Sequence, residues 1–216
     1  MRRTMNVLAG AAAGFTLALS CQAVSAGEPG TGKGENLLVF VGQKIGLAEQ
    51  KAPSCDNCIM LDSHYVAEYR ILETVHGNYR GNTITFDVYD HYGAPAFSRF
   101  DTVLLYVSRR PDGSWVHEKY QFNDLYKGRD GEWYGCGDPY GSAPHPPRTV
   151  RAQAVEFATP VSYPLDGMSR EKIERFYPAG YFEIRDGRAV CLLGTSVAGL
   201  FEAKKETVLA ARGIFR

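Results

Sequence analysis

The chain has 216 residues, with 24 basic and 24 acidic side chains. This length is enough for one domain with its own hydrophobic core, and the even charge gives no electrostatic reason to expect nucleic acid or an anionic membrane as partner. The 13 Tyr and 11 Phe residues, among scattered Gly, favour strands and turns.

The first 26 residues are predicted to be an export signal and not part of the fold. Arg2 and Arg3 precede an apolar run over residues 7–19, and residues 24–26 (VSA) are small, as a signal peptidase requires. The run is too short to span a bilayer comfortably. We therefore expect cleavage before Gly27 and an exported protein, periplasmic or extracellular, with no transmembrane segment in the mature chain.

Cys21 supports an alternative interpretation of the same segment. Residues 18–21 (ALSC) form a loose lipobox, the site at which a bacterial lipoprotein is cut and acylated. The Leu and the small residue stand in the reverse of the usual order. Under this alternative, a lipid on Cys21 would anchor the protein.

The mature chain is predicted to start with a flexible lead, residues 27–36, followed by a single β-rich domain over residues 37–216. Residues 37–45 (LLVFVGQKI) indicate a strand with a bulge or bend at Gly42.

Two alternating runs give the clearest strand pattern. Residues 64–71 and 83–88 each place apolar side chains at every second position, and a turn-rich segment separates them. We expect the two runs to pair, so that one core contains the apolar residues Tyr69, Ile71, Ile84, Phe86 and Val88.

The next segments extend the β pattern. The unbroken apolar run at residues 102–107 is typical of a central strand covered on both faces. A Pro-Asp-Gly turn at residues 111–113 leads into a further strand at residues 115–122. His64 and His117 fall in strands and are expected on solvated faces.

The pattern changes after Asn123. Residues 127–147 are rich in Gly and Pro and predict a loop, whereas Ser169 is a candidate N-cap for a short helix that ends before Pro178. A hairpin is expected over residues 181–193, and a helix over residues 200–211 with a stop at Gly213.

Four cysteines remain once Cys21 is removed with the signal, and an exported location favours disulfides. The preferred pairing is Cys55–Cys58 with Cys136–Cys191. A thiol–disulfide oxidoreductase using Cys55 and Cys58 is an alternative, although the intervening Asp56 disfavours a thiolate. A zinc site made of all four thiolates is a further alternative, but it lacks a second C-x-x-C motif.

No complete catalytic or cofactor signature is present. The five His residues are dispersed, and the sequence contains no H-E-x-x-H, G-x-S-x-G, P-loop or dinucleotide-binding motif. We therefore predict no metal, cofactor or catalytic residue. The unusual segment at residues 135–141 (GCGDPYG) suggests a binding loop, with Asp138, Tyr140 and His145 as candidate contacts.

Residues 37–107 resemble bacterial proteins that carry the OB-fold domain of tissue inhibitors of metalloproteinases and netrin modules. The resemblance rests on residues 39–43 (VFVGQ), 65–75 (YVAEYRILETV), 83–88 (TITFDV) and 103–107 (VLLYV), with Gly77 after the second strand. It implies a barrel. The animal inhibitors chelate the protease zinc through an N-terminal cysteine, which a chain starting at Gly27 would lack.

Together these observations predict a mostly β fold, a five-stranded OB-like Greek-key barrel with two short helices in the C-terminal part. The expected function is that of an exported, non-enzymatic binding or inhibitory module that acts on a protein or cell-envelope partner. The alternatives are a thiol–disulfide oxidoreductase using Cys55 and Cys58, and a hydrolase whose site the sequence does not reveal.

Overall fold

Strands dominate the fold. A computed structural model describes residues 33–51, 61–141 and 148–215, so the predicted signal with Cys21, the Cys55–Cys58 pair and His145 lie outside the described residues. The strands are β1 (Leu37–Gln50), β2 (Ser63–His76), β3 (Thr83–Asp90), β4 (Thr102–Arg109), β5 (Trp115–Asp124), β6 (Tyr126–Lys127), β7 (Trp133–Cys136), β8 (Gln153–Ala154), β9 (Ser162–Pro164), β10 (Phe182–Arg185), β11 (Arg188–Cys191) and β12 (Leu193–Ser196), and the α-helices are α1 (Arg170–Phe176) and α2 (Val197–Lys204). The predicted mostly β class with two short helices is confirmed.

The first five strands form one sheet whose hydrogen bonding closes into a ring in the order β1-β2-β3-β5-β4. Neighbouring strands are antiparallel, except that β3 and β5 meet in parallel, with Asp87 opposite Val116. Residues 37–43 of β1 pair with β4, and residues 39–50 pair with β2. The register of β1 against β2 shifts between Val41 and Gly42, so the predicted irregularity at Gly42 is confirmed.

Gly42 is required by packing at this irregularity. A Cβ atom placed there would lie 2.8 Å from the Phe40 ring and 3.0 Å from the Tyr69 ring, both of which are buried inside the ring of strands. Any larger residue would therefore displace two core aromatic side chains.

The alternating runs pair as the sequence predicts. Tyr69 lies opposite Ile84, Ala67 opposite Phe86 and Tyr65 opposite Val88. The side chains of all three pairs are buried in one apolar cluster inside the ring, and Ile71 packs at its margin.

A second apolar cluster lies between the outside of the ring and α2. Leu104 and Tyr106 of β4 belong to this cluster, together with Leu200 and Phe201 of α2. Residues 103–107 of β4 are therefore buried on both faces, as their unbroken apolar sequence predicts. Ser196 caps α2 by accepting a hydrogen bond from the Gly199 amide, and a π-helical segment, Lys205–Leu209, follows the helix.

Two small sheets complete the fold. β6, β7, β12 and β8 form one, and β10, β11 and β9 form the other. The predicted loop at residues 127–147 is partly wrong because β7 lies within it and pairs with β12. The predicted hairpin turn is confirmed, with Asp186 and Gly187 at φ values of 51° and 69° between β10 and β11.

The Cys136–Cys191 disulfide joins β7 of one small sheet to β11 of the other, which confirms this predicted pair. It also rules out a zinc site made of all four thiolates, because two of them are bonded to each other. The second pair, Cys55–Cys58, stays a prediction. Among the described residues, no helix has the length and apolar character needed to cross a membrane.

Candidate functional site

A long bulge interrupts β5 and forms the centre of the candidate site. Phe122 lies opposite Leu105 and His117 opposite Val107, so residues 118–121 all face the single residue Tyr106 of β4. Tyr120 occupies the left-handed region at φ 66°, which is costly for a residue with a Cβ atom. Bulges of this kind re-aim side chains and occur frequently beside functional sites.

His117 closes the base of the bulge. Its Nε2 atom lies 2.8 Å from the Gln121 carbonyl oxygen, and its ring is buried beside Phe86 and Phe97. Burial lowers the pKa of His117 to about 4, so the ring is neutral near pH 7 and donates from Nε2 to the carbonyl. The expectation of a solvated His117 is wrong, because His117 lies opposite the buried Val107 in the regular part of the ladder and therefore faces the core.

Two cationic side chains from the C-terminal region hold the outer part of the bulge. The Arg212 guanidinium donates to the Glu118 carboxylate at 2.6 Å and to the Lys119 carbonyl at 2.8 Å. Lys204 donates to the Gln121 side-chain oxygen at 3.1 Å. The bulge is therefore fixed at three of its four residues, and Tyr120 projects from a rigid support.

Tyr120 lies in an exposed patch that we call the aromatic tip, defined by Leu61, His91, Tyr92, Lys119 and Tyr120. Tyr92 is 84% exposed, Leu61 69% and Tyr120 45%. The rings of Tyr92 and Tyr120 lie 6.0 Å apart, and the His91 ring lies 5.2 Å from that of Tyr92. Large apolar surfaces thus face solvent side by side on a shallow surface.

The charges of the aromatic tip are compensated locally. Lys119 donates to both carboxylate oxygens of Asp62 at 2.7 Å while its ammonium lies 5.2 Å from the Tyr120 ring centre. His91 is held through Nδ1, which lies 2.6 Å from the Leu61 carbonyl oxygen. The patch therefore offers rings and paired charges in a fixed arrangement.

The predicted binding loop is largely engaged within the protein. Tyr140 is buried, and its hydroxyl donates to the Glu206 carboxylate and accepts from the Val150 amide at 2.9 Å. Asp138 accepts from the Tyr140 amide at 3.0 Å and from Arg148 at 3.1 Å. The structure brings Asp138 and Tyr140 together, whereas His145 is outside the described residues, so binding by this loop stays a prediction.

One His–Asp pair lies on the outside of the ring. The His64 Nε2 atom is 2.8 Å from Asp87, whose carboxylate also accepts from Arg110, and the His64 ring stacks on Tyr89 at 4.7 Å. Burial raises the pKa of Asp87, but the hydrogen bonds from His64 and Arg110 outweigh it and the pKa is lowered overall. The pair contains a base, and within the described residues His64 makes no hydrogen bond to a hydroxyl or thiol that could act as nucleophile.

In the described ranges, no three His, Cys, Asp or Glu side chains are grouped so that they could hold a metal ion. Comparison of the chain with protein-family models, with curated proteins and with solved structures gives no match. The geometry of the aromatic tip is therefore the main guide to function. The sequence did not predict this patch. The one signal for it is that apolar and polar residues stop alternating near Tyr120 in the strand predicted over residues 115–122.

Proposed function

We propose that this chain is an exported, non-enzymatic binding or inhibitory module that recognises a protein or cell-surface partner through its aromatic tip. One observation carries the proposal: Tyr120 is held in a strained backbone conformation so that its ring stands beside the exposed ring of Tyr92.

The strain at Tyr120 argues for a functional role. A non-glycine residue in the left-handed region costs about 1–3 kcal/mol and persists only where its surroundings enforce it. Arg212 and His117 provide that enforcement through their bonds to the bulge. Because a glycine would fit this backbone with less strain, the presence of tyrosine favours a need for the ring itself.

The composition of the patch suits recognition of a macromolecule. Tyrosine is enriched among the residues that contribute most to interface affinity, because its large ring loses little conformational entropy on binding. Tyr120 stands on the hydrogen-bonded bulge and the Tyr92 amide donates to Asp90, which lowers the cost of ordering both residues. Since Lys119 is already paired with Asp62, a partner would not have to compensate an isolated charge.

The order of the strands and the disulfide also support this proposal. The ring order β1-β2-β3-β5-β4 and the parallel contact between β3 and β5 favour an OB-like Greek-key barrel. That the barrel is of the netrin-module type is proposed only from the sequence resemblance of residues 37–107. In OB-folds the connection between the first two strands often contributes to binding, and Leu61 at the end of that connection belongs to the aromatic tip. The Cys136–Cys191 disulfide favours an oxidising, exported location.

The test is capture of partners from the native envelope fraction with the immobilised mature domain. We expect the wild-type domain to retain a partner that the double variant Tyr92→Ser/Tyr120→Gly does not retain. Phe176→Ser is the matched control, because Phe176 is an exposed aromatic residue on α1, outside the aromatic tip. Equal capture by all three proteins would contradict the proposal.

The thiol-redox alternative can be tested on the same preparations. An oxidoreductase would catalyse disulfide exchange well above a free-thiol control and would lose this activity in Cys55→Ser, while the Tyr92→Ser/Tyr120→Gly variant would remain active. That result would replace the binding module with the enzyme. We expect no such activity.

A further inference from the structure

A groove of about 390 Å³ lies where the ring of strands meets the four-stranded sheet, apart from the aromatic tip. Three aromatic residues border it, Phe100 before β4, Tyr126 of β6 and Trp133 of β7. The Tyr126 ring packs on Phe157 and Tyr163, so Phe100 and Trp133 are the aromatic residues available to a ligand. This volume falls within the range of small-molecule sites, which are typically lined by aromatic residues with a few polar groups that set orientation.

Two cations line the same groove, and neither forms an ion pair with another described residue. Among the described residues, neither Arg99 nor Lys127 lies within ion-pair distance of a carboxylate; Arg99 donates to the Ala96 carbonyl at 3.3 Å, and Lys127 to the Gly131 carbonyl. By contrast, Lys119 at the aromatic tip is paired with Asp62. Among the residues that line the groove, two are cationic and one, Asp101, is acidic. Asp130, outside the lining, is close enough to Lys127 for that ammonium to help lower the pKa of its carboxyl group.

Lys127 and Trp133 form a fixed unit. The two residues pair directly between β6 and β7, and the Lys127 ammonium lies 4.2 Å from the centre of the Trp133 ring. A ligand group that contacts this ring would therefore also lie close to the ammonium. The arrangement favours a ligand in which a ring and a negative charge are separated by a short spacer.

We propose that this groove binds a carboxylic acid that carries an aromatic ring, with the ring against Trp133 and Phe100 and the carboxylate against Arg99 and Lys127. Such a group occurs both in free aromatic acids and at the C-terminus of a peptide that ends in an aromatic residue. The site is distinct from the aromatic tip, and it does not depend on the function proposed for that surface.

The experiment uses fluorescence of Trp133 in the mature domain. Because the chain contains two tryptophans, a Trp115→Phe background leaves Trp133 as the reporter. The probes are 3-phenylpropanoate, its neutral amide, and N-acetyl-Gly-Phe with a free or an amidated C-terminus. We expect saturable quenching by the acids and about tenfold weaker binding of each matching amide, since a hydrogen bond to a charged group is lost.

Two variants test the assignment of the cations. Lys127→Gln and, independently, Arg99→Gln should weaken the acids about tenfold and leave the amides unchanged, whereas Lys172→Gln on α1 should change neither. Tighter binding of the peptide acid would identify a peptide C-terminus as the ligand, and tighter binding of 3-phenylpropanoate a free acid; both support the proposal. Absence of quenching up to about 10 mM, equal affinity for acids and amides, or unchanged affinity in both variants would overturn it.

Discussion

Replacement of Tyr120 by alanine and by glycine tests whether the bulge is strained. In an ordinary strand, glycine is less stable than alanine by about 0.5–1 kcal/mol, because glycine loses more backbone entropy on folding. At φ 66° the order should reverse, since a Cβ atom in the left-handed region costs about 1–2 kcal/mol. After subtraction of the entropic cost, Tyr120→Gly should be more stable than Tyr120→Ala by up to about 1.5 kcal/mol, and by about 0.8 kcal/mol at the midpoints of the two ranges.

The free energy of unfolding from urea titrations measures this difference. Thr85 provides the control, because it is exposed in the regular part of β3, and there Thr85→Ala should be more stable than Thr85→Gly. The comparison between alanine and glycine removes the effect of losing the tyrosine ring, which is common to both variants at position 120. A Tyr120→Ala variant more stable than Tyr120→Gly would show that the bulge stores no strain, and the argument for a functional Tyr120 would fail.

Three further predictions concern the core, the disulfide and pH. Phe86 is 2% exposed inside the ring, so Phe86→Ala should lower the free energy of unfolding by about 3–5 kcal/mol, and a loss below about 1 kcal/mol would contradict its core position. Replacing Cys136 and Cys191 together by Ser opens a link across 55 residues and should cost about 4 kcal/mol, measured by denaturant titration against the intact protein. The pKa of His117 is lowered to about 4 in the folded protein, whereas in the unfolded chain it is about 6.5. As the pH falls from about 6.5 toward about 4, the unfolded chain therefore binds a proton that the folded protein does not, and the free energy of unfolding decreases. Stability should therefore drop by about 2–3 kcal/mol more in wild type than in His117→Gln between about pH 7.5 and pH 4.5, and equal drops would contradict a buried neutral ring.

The sequence predicts the ring of strands well where side chains alternate strictly. β2 and β3 have one buried and one exposed face, so the apolar positions determine both their extent and their register, including Tyr69 opposite Ile84. β7 was missed because its four residues include a glycine and lie in a segment rich in Gly. Pairing with β12, distant in the chain, stabilises β7, and local propensity does not report such long-range contacts.

The candidate site was harder to predict because it depends on an inserted segment. Residues 115–122 look like one continuous strand, yet residues 118–121 leave the ladder, so that Phe122 faces the same core as His117, which strict alternation would not allow. Two of the contacts that fix the bulge come from Arg212, more than ninety residues away in the chain, and a third comes from Lys204. Tyr92 and Tyr120 become neighbours only through this tertiary arrangement, whereas the conspicuous loop at Asp138 and Tyr140 serves internal contacts.

Site-specific photo-crosslinking tests most directly whether the aromatic tip is a binding surface. The photoreactive amino acid p-benzoylphenylalanine would replace Tyr92 in one protein and Phe176 in another, since both side chains are exposed and aromatic. After irradiation in the native envelope, we predict a discrete cross-linked partner from position 92 that is absent at position 176 and is lost when Tyr120→Gly is added. The same products from both positions, or none from position 92, would contradict the proposed function.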